Sequence, residues 1–262
     1  MIADYAHFLS LASSLRWDER TIDLHADANG WRAVAAGHRQ LVERLVYGFC
    51  VGEAAVAEHL DPFVAATTAD VAACFTAQAR DEGRHARFFD RVAREVLDVP
   101  GDSPAQRLEV MRERLAPELV GLFEAELPRI TRDLSAHQAS LTDAVGLYHM
   151  LLEGAIFTMG QFELLGALDA AGPLPGVRRG VELVLRDERW HLGFGTRCLL
   201  DQGTLERSMA DRLRATAVDA MSAWQSPDRE AAARVLDIAS RRLTLIELGR
   251  RAVPAGQLVR SL

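Results

Sequence analysis

The sequence predicts an all-α protein, and three observations carry that reading. Ala, Leu, Arg and Glu dominate its 262 residues, and these are strong helix formers. No stretch shows the two-residue alternation of β-branched residues between turn signals that marks a strand. Breakers fall far apart: "HADANG" before Trp31, "DP" at Asp61 and Pro62, "DVPGDSP" from Asp98 to Pro104, and "AAGPLPG" from Ala170 to Gly176. They leave segments of about 20 to 30 residues, lengths typical of large bundles.

In chain order, residues 1–30 read as an extended N-terminal entry segment. Residues 31–252 read as one helical domain, opening with a helix from about Trp31 to Leu60 and a second from about Ala69 to Leu97. Shorter helices cross Ala105 to Ala136, with Pro117 and Pro128 at helix starts or kinks. Long helices follow at about Leu141 to Ala170 and Val177 to Leu200, with two more behind them. Residues 253–262 are expected to be a frayed C-terminal tail.

Composition narrows the function. The formal charge is -7, and all 30 basic residues are Arg, scattered along the chain. Phosphate neutralisation needs clustered cations, so no nucleic-acid partner is expected, and the absence of Lys excludes Schiff-base and Walker-type chemistry. Cys50, Cys74 and Cys198 are odd in number and widely spaced, which indicates neither a disulfide framework nor a thiolate zinc site. An acidic residue stands where a signal peptide would carry positive charge, and no apolar run approaches membrane-span length. The expectation is a cytoplasmic protein with no transmembrane segment.

One pattern carries chemistry. "RDEGRH" from Arg80 to His85 and "RDERWH" from Arg186 to His191 are the same hexapeptide with two residues changed. Residues three apart share a helix face, so Glu82 with His85 and Glu188 with His191 each present a carboxylate and an imidazole in one direction. Iron and manganese accept that donor pair, whereas structural zinc favours thiolates. A dinuclear site needs more negative charge, and Glu53 in "YGFCVGEAAVAEHL" and Glu153 in "YHMLLEGAIFTMG" supply it. Each stands alone in an apolar stretch, where an ionised carboxylate asks for a cation. The metal ligands expected are therefore Glu53, Glu82, His85, Glu153, Glu188 and His191. Metal-bound imidazoles donate their other N–H to an acceptor, and Asp81 and Asp187 are placed to serve the opposite copy's histidine. The remaining histidines, His149 among them, read as surface or packing residues.

The order Glu, Glu-x-x-His, Glu, Glu-x-x-His resembles the ferritin-like superfamily, which implies a four-helix bundle core with additional helices. "RWDERTIDLHAD" from Arg16 to Asp27 is similar to the Trp-containing entry segment of the ribonucleotide reductase small subunit and its relatives. That likeness implies an electron relay through Trp17, Asp187 and His85. The reductase's radical tyrosine would stand one turn after His85, where this chain has Phe89, and no tyrosine lies near the C-terminus. Val56 and Tyr148 instead resemble the cross-linked pair of the ligand-binding oxidases related to that subunit. Membership there implies a homodimer with a dinuclear Mn/Fe or Fe/Fe cofactor, O2 as co-substrate, an apolar small molecule such as a fatty acid held over the metals, and an unidentified electron donor.

Pocket walls are expected from Phe89, Met150, Phe157, Met159, Phe162 and Phe194, for which plain core packing is an even alternative. The function expected is a dinuclear-metal oxidase acting on a bound apolar ligand or on an internal Tyr/Val pair. An N-oxygenase often adds a histidine one turn before the last Glu-x-x-His, where this chain has Val184. A reductase radical subunit lacking its tyrosine and a metal store are the other readings. The entry Trp serves no purpose in a store.

Overall fold

The computed structural model describes residues 3–202, 207–222, 224 and 229–247. The expected tail, 253–262, lies outside them. Among the described residues there is no strand, and the helices run in the order α1 (Tyr5–Ser14), α2 (His25–Trp31), α3 (Ala36–Glu58), α4 (Asp61–Ala65), α5 (Ala69–Glu95), α6 (Pro104–Arg112), α7 (Pro117–Gly121), α8 (Leu127–Ser135), α9 (Leu141–Val145), α10 (Thr158–Ala171), α11 (Pro175–Gln202), α12 (Arg207–Ser222) and α13 (Arg229–Glu247). A 3-10 turn at Glu19–Thr21 follows α1, and π-helical stretches at Leu122–Glu126 and Gly146–Phe157 join α7 to α8 and α9 to α10.

Four long helices make the central bundle: α3, α5, the continuous helix Leu141–Ala171, and α11. Each buries a stripe. On α5 the stripe is Val71, Cys74, Phe75, Gln78, Glu82, His85, Phe88, Phe89 and Val92, a three-and-four spacing that faces one direction on a helix. Helix α5 packs on α3 and α11, α3 also packs on α10, and α1 lies across α5 and α11. Helices α12 and α13 cover the π-helical stretch of the third bundle helix.

That third helix is long and apolar enough to cross a membrane, with a mean hydropathy of 1.2 over its best window. The expectation that no such run exists therefore needs correction. The window is 83% buried inside the protein, and the helix carries buried Glu153 and His149. It is a core helix enclosed by other helices.

Residues 3–30 differ from the extended segment expected. Asp4 accepts from the amide of His7 at 2.9 Å and starts α1, as a side-chain acceptor at a helix start does. "HADANG" forms most of α2 instead of a loop. Its Asp27 is fully buried and accepts from the amides of Gly176 at 3.0 Å and Val177 at 2.8 Å. A carboxylate from α2 thus caps the otherwise unpaired first turn of α11. "DP" likewise opens a helix, α4, because proline suits a first turn. The loop after Ala171 ends the third bundle helix at Gly172, with φ of 104°, a conformation that favours glycine.

Candidate metal centre

The four bundle helices bring one carboxylate or one carboxylate–imidazole pair each to a common point. Glu53 comes from the middle of α3, Glu82 and His85 from α5, Glu153 from the π-helical stretch, and Glu188 and His191 from α11. All six are buried, none more than 2% exposed. Their donor atoms form two overlapping groups, one of Glu53, Glu82, His85 and Glu188, the other of Glu82, Glu153 and His191, each within 4.8 Å.

Distances inside the cluster suit a shared pair of cations. Nδ1 of His85 lies 3.2 Å from Glu82 Oε2, 3.5 Å from Glu188 Oε1 and 3.6 Å from Glu53 Oε2. Nδ1 of His191 lies 3.2 Å from Glu82 Oε1, 3.6 Å from Glu188 Oε2 and 3.7 Å from Glu153 Oε1. Glu82 and Glu188 each face both imidazoles, one oxygen apiece. The sequence alone assigned Glu188 to the His191 side.

The donor set fits metal ions on an independent ground. Both oxygens of Glu53 and Glu188, one oxygen of Glu82 and of Glu153, and Nδ1 of both histidines are buried without a hydrogen-bond partner. Orphaned buried polar atoms cost free energy, and four converging carboxylates cost more. Two multivalent cations would satisfy all of them at once.

Without metal, protons carry the balancing charge. Burial pushes Glu53 up to about 8. Burial, reinforced by the charge of Glu188, raises Glu153 well above the carboxylate range. Burial also raises Glu82, but the imidazoles of His191 and His85 outweigh it and hold that carboxyl well below the range. Burial opposes the charge on both imidazoles, yet the acidic groups around His85 and His191 draw them well above their ordinary value.

The far nitrogens face the two aspartates crosswise. His85 Nε2 hydrogen-bonds Asp187 Oδ2 at 3.3 Å, and Trp17 Nε1 donates to the same oxygen at 2.6 Å. His191 Nε2 lies 3.5 Å from Asp81 Oδ2, to which Trp190 Nε1 donates at 3.1 Å. One guanidinium joins the halves, since Arg84 Nη2 donates to Asp81 Oδ1 at 2.5 Å and to Asp187 Oδ2 at 2.9 Å. Burial raises Asp187, but hydrogen bonds from His85, Trp17 and Arg84 bring it down to about 2.

A second polar group flanks Glu82 and Glu153. Tyr148 donates its hydroxyl to Glu82 Oε1 at 2.8 Å. Gln78 Nε2 lies 2.8 Å from the Tyr148 hydroxyl oxygen, 2.5 Å from Glu153 Oε1 and 3.2 Å from Glu82 Oε1. His149 Nε2 meets Gln78 Oε1 at 3.1 Å. Burial, then the charge of His191, lowers His149 to about 3 and keeps it neutral. Gly195 gives that ring its space, because a Cβ there would lie 2.2 Å from His149 Cγ.

Sequence reasoning missed Gln78, Arg84, Trp190 and the role of His149. The signals were present: Gln78 stands one turn before Glu82 on the same face, and Arg84 and Trp190 each precede a histidine of the repeat. The pocket candidates enter separate aromatic contacts. Phe89 stacks on Phe49 at 4.9 Å, and Phe49 meets Phe157 at 5.7 Å. Phe194 packs with Phe75 and His149 instead. Met150 and Met159 are buried in the core, and Phe162 is half-buried at its edge. Val56 is fully buried on α3, one turn beyond Glu53.

A helical bundle with a Glu from each of two helices and Glu-x-x-His from each of two others fits the dinuclear carboxylate class, a template known from ferritin-like proteins. The chain belongs to the ribonucleotide reductase small-chain family, whose sequence profile matches residues 4–223. Its fold is similar to that of the R2-like ligand-binding oxidase from Sulfolobus acidocaldarius, with 20% identity, 97% of this chain and 93% of that one covered, and a TM-score of 0.79. A point mutant of an R2-like ligand-binding oxidase with an aerobically reconstituted Mn/Fe cofactor matches at 20% identity and TM-score 0.77, covering 92% of this chain and 93% of that one. Another mutant, with a non-activated Mn/Mn cofactor, matches at 19% and 0.75, covering 96% and 94%. The fold is the ferritin-like bundle with additional helices.

Proposed function

We propose that this chain is a dinuclear-metal oxidase that takes Mn/Fe or Fe/Fe, activates O2, and oxidises a bound apolar ligand or its own Tyr148 and Val56. The observation that carries the reading is the set of unpartnered carboxylate and Nδ1 atoms converging from four helices. Glu53, Glu82, His85 and Glu188 would hold one ion, and Glu82, Glu153 and His191 the other, with Glu82 shared. The structurally similar oxidases that carry Mn/Fe support the choice of metals.

The bound metals would supply electrons to O2 and leave an oxidised centre able to take a hydrogen atom from a C–H or O–H bond. The chain's own residues prepare that chemistry. Asp187 hydrogen-bonds the far side of the His85 imidazole, and Asp81 faces His191 Nε2 at 3.5 Å, an arrangement that turns both Nδ1 atoms toward the metals. Phe49, Phe89 and Phe157 exclude water on the Glu53 side. Tyr148 holds its hydroxyl proton on Glu82, and Gln78 supports the hydroxyl oxygen from behind. That contact favours Tyr148 as the internal group oxidised.

A reductase radical subunit is the second reading, favoured by the family itself. The place one turn after His85 holds Phe89, fully buried on Phe49, which weakens it. Metal analysis and intact mass after aerobic loading with Mn and Fe test the proposal. The expected result is two metals per chain, loss of two hydrogens, and Val56 with Tyr148 in one linked peptide. An unchanged mass with O2 consumed directs the oxidation to an external ligand. Fewer than one metal per chain overturns the proposal.

A further inference from the structure

Each histidine of the cluster has an aspartate behind it, and each aspartate has an indole behind that. On the His85 side the indole is Trp17, which reaches Asp187 from the segment after α1. On the His191 side it is Trp190, from α11 itself. The second indole is the closer of the two to its imidazole, with ring centroids 4.5 Å apart against 6.2 Å for Trp17 and His85. Trp190 is 2% exposed, so its indole is held in one place by protein on every side.

The surroundings of the two aspartates differ in one respect. Asp187 is fully buried, whereas Asp81, 4% exposed, helps line a surface cleft of ≈ 420 Å³ between α1 and α5 that Arg16 and Arg80 also line. Both carboxylates are ion-paired to Arg84, so the two chains are joined through one cation. Asp81 is among the residues lining that cleft, and Asp187 is not.

We infer that Trp190 is a redox-active residue serving the His191 half of the site, a second Trp–Asp–His relay parallel to the one through Trp17. The inference rests on the dinuclear oxidase reading, because the oxidant is the O2-oxidised metal pair. One electron leaves the indole π system of Trp190 and reduces that pair by one electron. The Nε1 proton stays in its hydrogen bond to Asp81, whose negative charge stabilises the indole cation. A one-electron reductant arriving at the Asp81 cleft then restores the indole.

The test is aerobic metal loading of protein labelled with ring-deuterated Trp, followed by rapid freezing and electron paramagnetic resonance. Metal content is counted on the same samples. The expected result is a transient organic radical whose hyperfine structure narrows on Trp deuteration. It should persist in Trp17→Phe, which removes the other relay, and fall more than tenfold in the double variant Trp17→Phe/Trp190→Phe, with two metals still bound in each. Persistence in the double variant, or loss in Trp17→Phe alone, overturns the assignment. So does a wild-type protein that binds two metals and consumes O2 with no Trp-centred signal. A wild-type protein that binds no metal overturns the oxidase reading, and this inference with it.

Discussion

Arg84 and Trp190 occupy the same place in the two copies of Arg-Asp-Glu-x-x-His, and each donates to the aspartate of the other copy. Arg84 Nη2 reaches Asp187 Oδ2 at 2.9 Å, and Trp190 Nε1 reaches Asp81 Oδ2 at 3.1 Å. The repeat is therefore symmetric in geometry and asymmetric in charge. Arg84→Leu removes the cation that the two buried aspartates share, leaving Asp187 the longer contact to Arg186 at 3.4 Å, and removing one partner of a buried ion pair costs about 3–5 kcal/mol. Denaturant unfolding of the metal-free protein should show a loss in that range, and a loss below about 1 kcal/mol would show that the bridge is dispensable.

Metal-free protein should lose stability as the pH rises. The Glu53 carboxyl is held near 8 in the fold, against an ordinary 4.5. Between those values the folded chain keeps a proton that the unfolded chain has released, so stability falls with pH by roughly 1.4 kcal/mol per unit for each proton retained. His85 and His191, raised above their ordinary value, act in the same sense: their contribution is complete below that value and lost above it. At the acid end, the depressed Asp187 contributes stability that is lost as the pH falls toward about 2. Unfolding midpoints of chelator-treated protein at about pH 5.5 and 7.5 check the slope. Metal loading should remove it and release protons, measurable with a pH-indicator dye.

Gln78 supports Tyr148, and Gln78→Leu keeps its size while removing that support. His149 Nε2 then loses the oxygen it meets at 3.1 Å, a buried polar loss of about 1–3 kcal/mol. If Tyr148 is the internal group oxidised, the yield of peptide linked to Val56 should fall as well. Equal yields in variant and parent would separate Gln78 from the chemistry.

Gly195→Ala should displace His149. The added Cβ would lie 2.2–2.5 Å from His149 Cγ, Cδ2 and Cβ, and overpacking of that kind costs about 1–3 kcal/mol. His149→Ala in the same chain should recover part of the loss by vacating the space. A double-mutant cycle on unfolding free energies gives the coupling directly.

The bundle and the six cluster residues were legible because buried charge is rare and a repeat of charged residues at helical spacing is rarer still. Glu53 and Glu153 announced themselves by their apolar neighbours, and Asp81 and Asp187 by adjacency to the repeat. Gln78 was silent because a neutral amide in a helix carries no such cost on its face. Helix α2 was misread because "HADANG" has turn residues whose fate depends on Asp27 meeting the start of α11, a contact between segments about 150 residues apart. The pocket residues are apolar in an apolar core, and nothing in their identity separates a ligand wall from packing.

The register of the third bundle helix was equally invisible, and it has an evolutionary consequence. The π-helical stretch from Gly146 to Phe157 spends more residues per turn than the α-helices on either side of it. A single-codon deletion there can be absorbed by tightening one wide turn, with the flanking helices keeping their partners. The residues of the stretch itself, Tyr148, His149 and Glu153 among them, are the ones whose direction would change. The group of donor atoms that Glu82, Glu153 and His191 bring together is in this sense editable without rebuilding the protein around it.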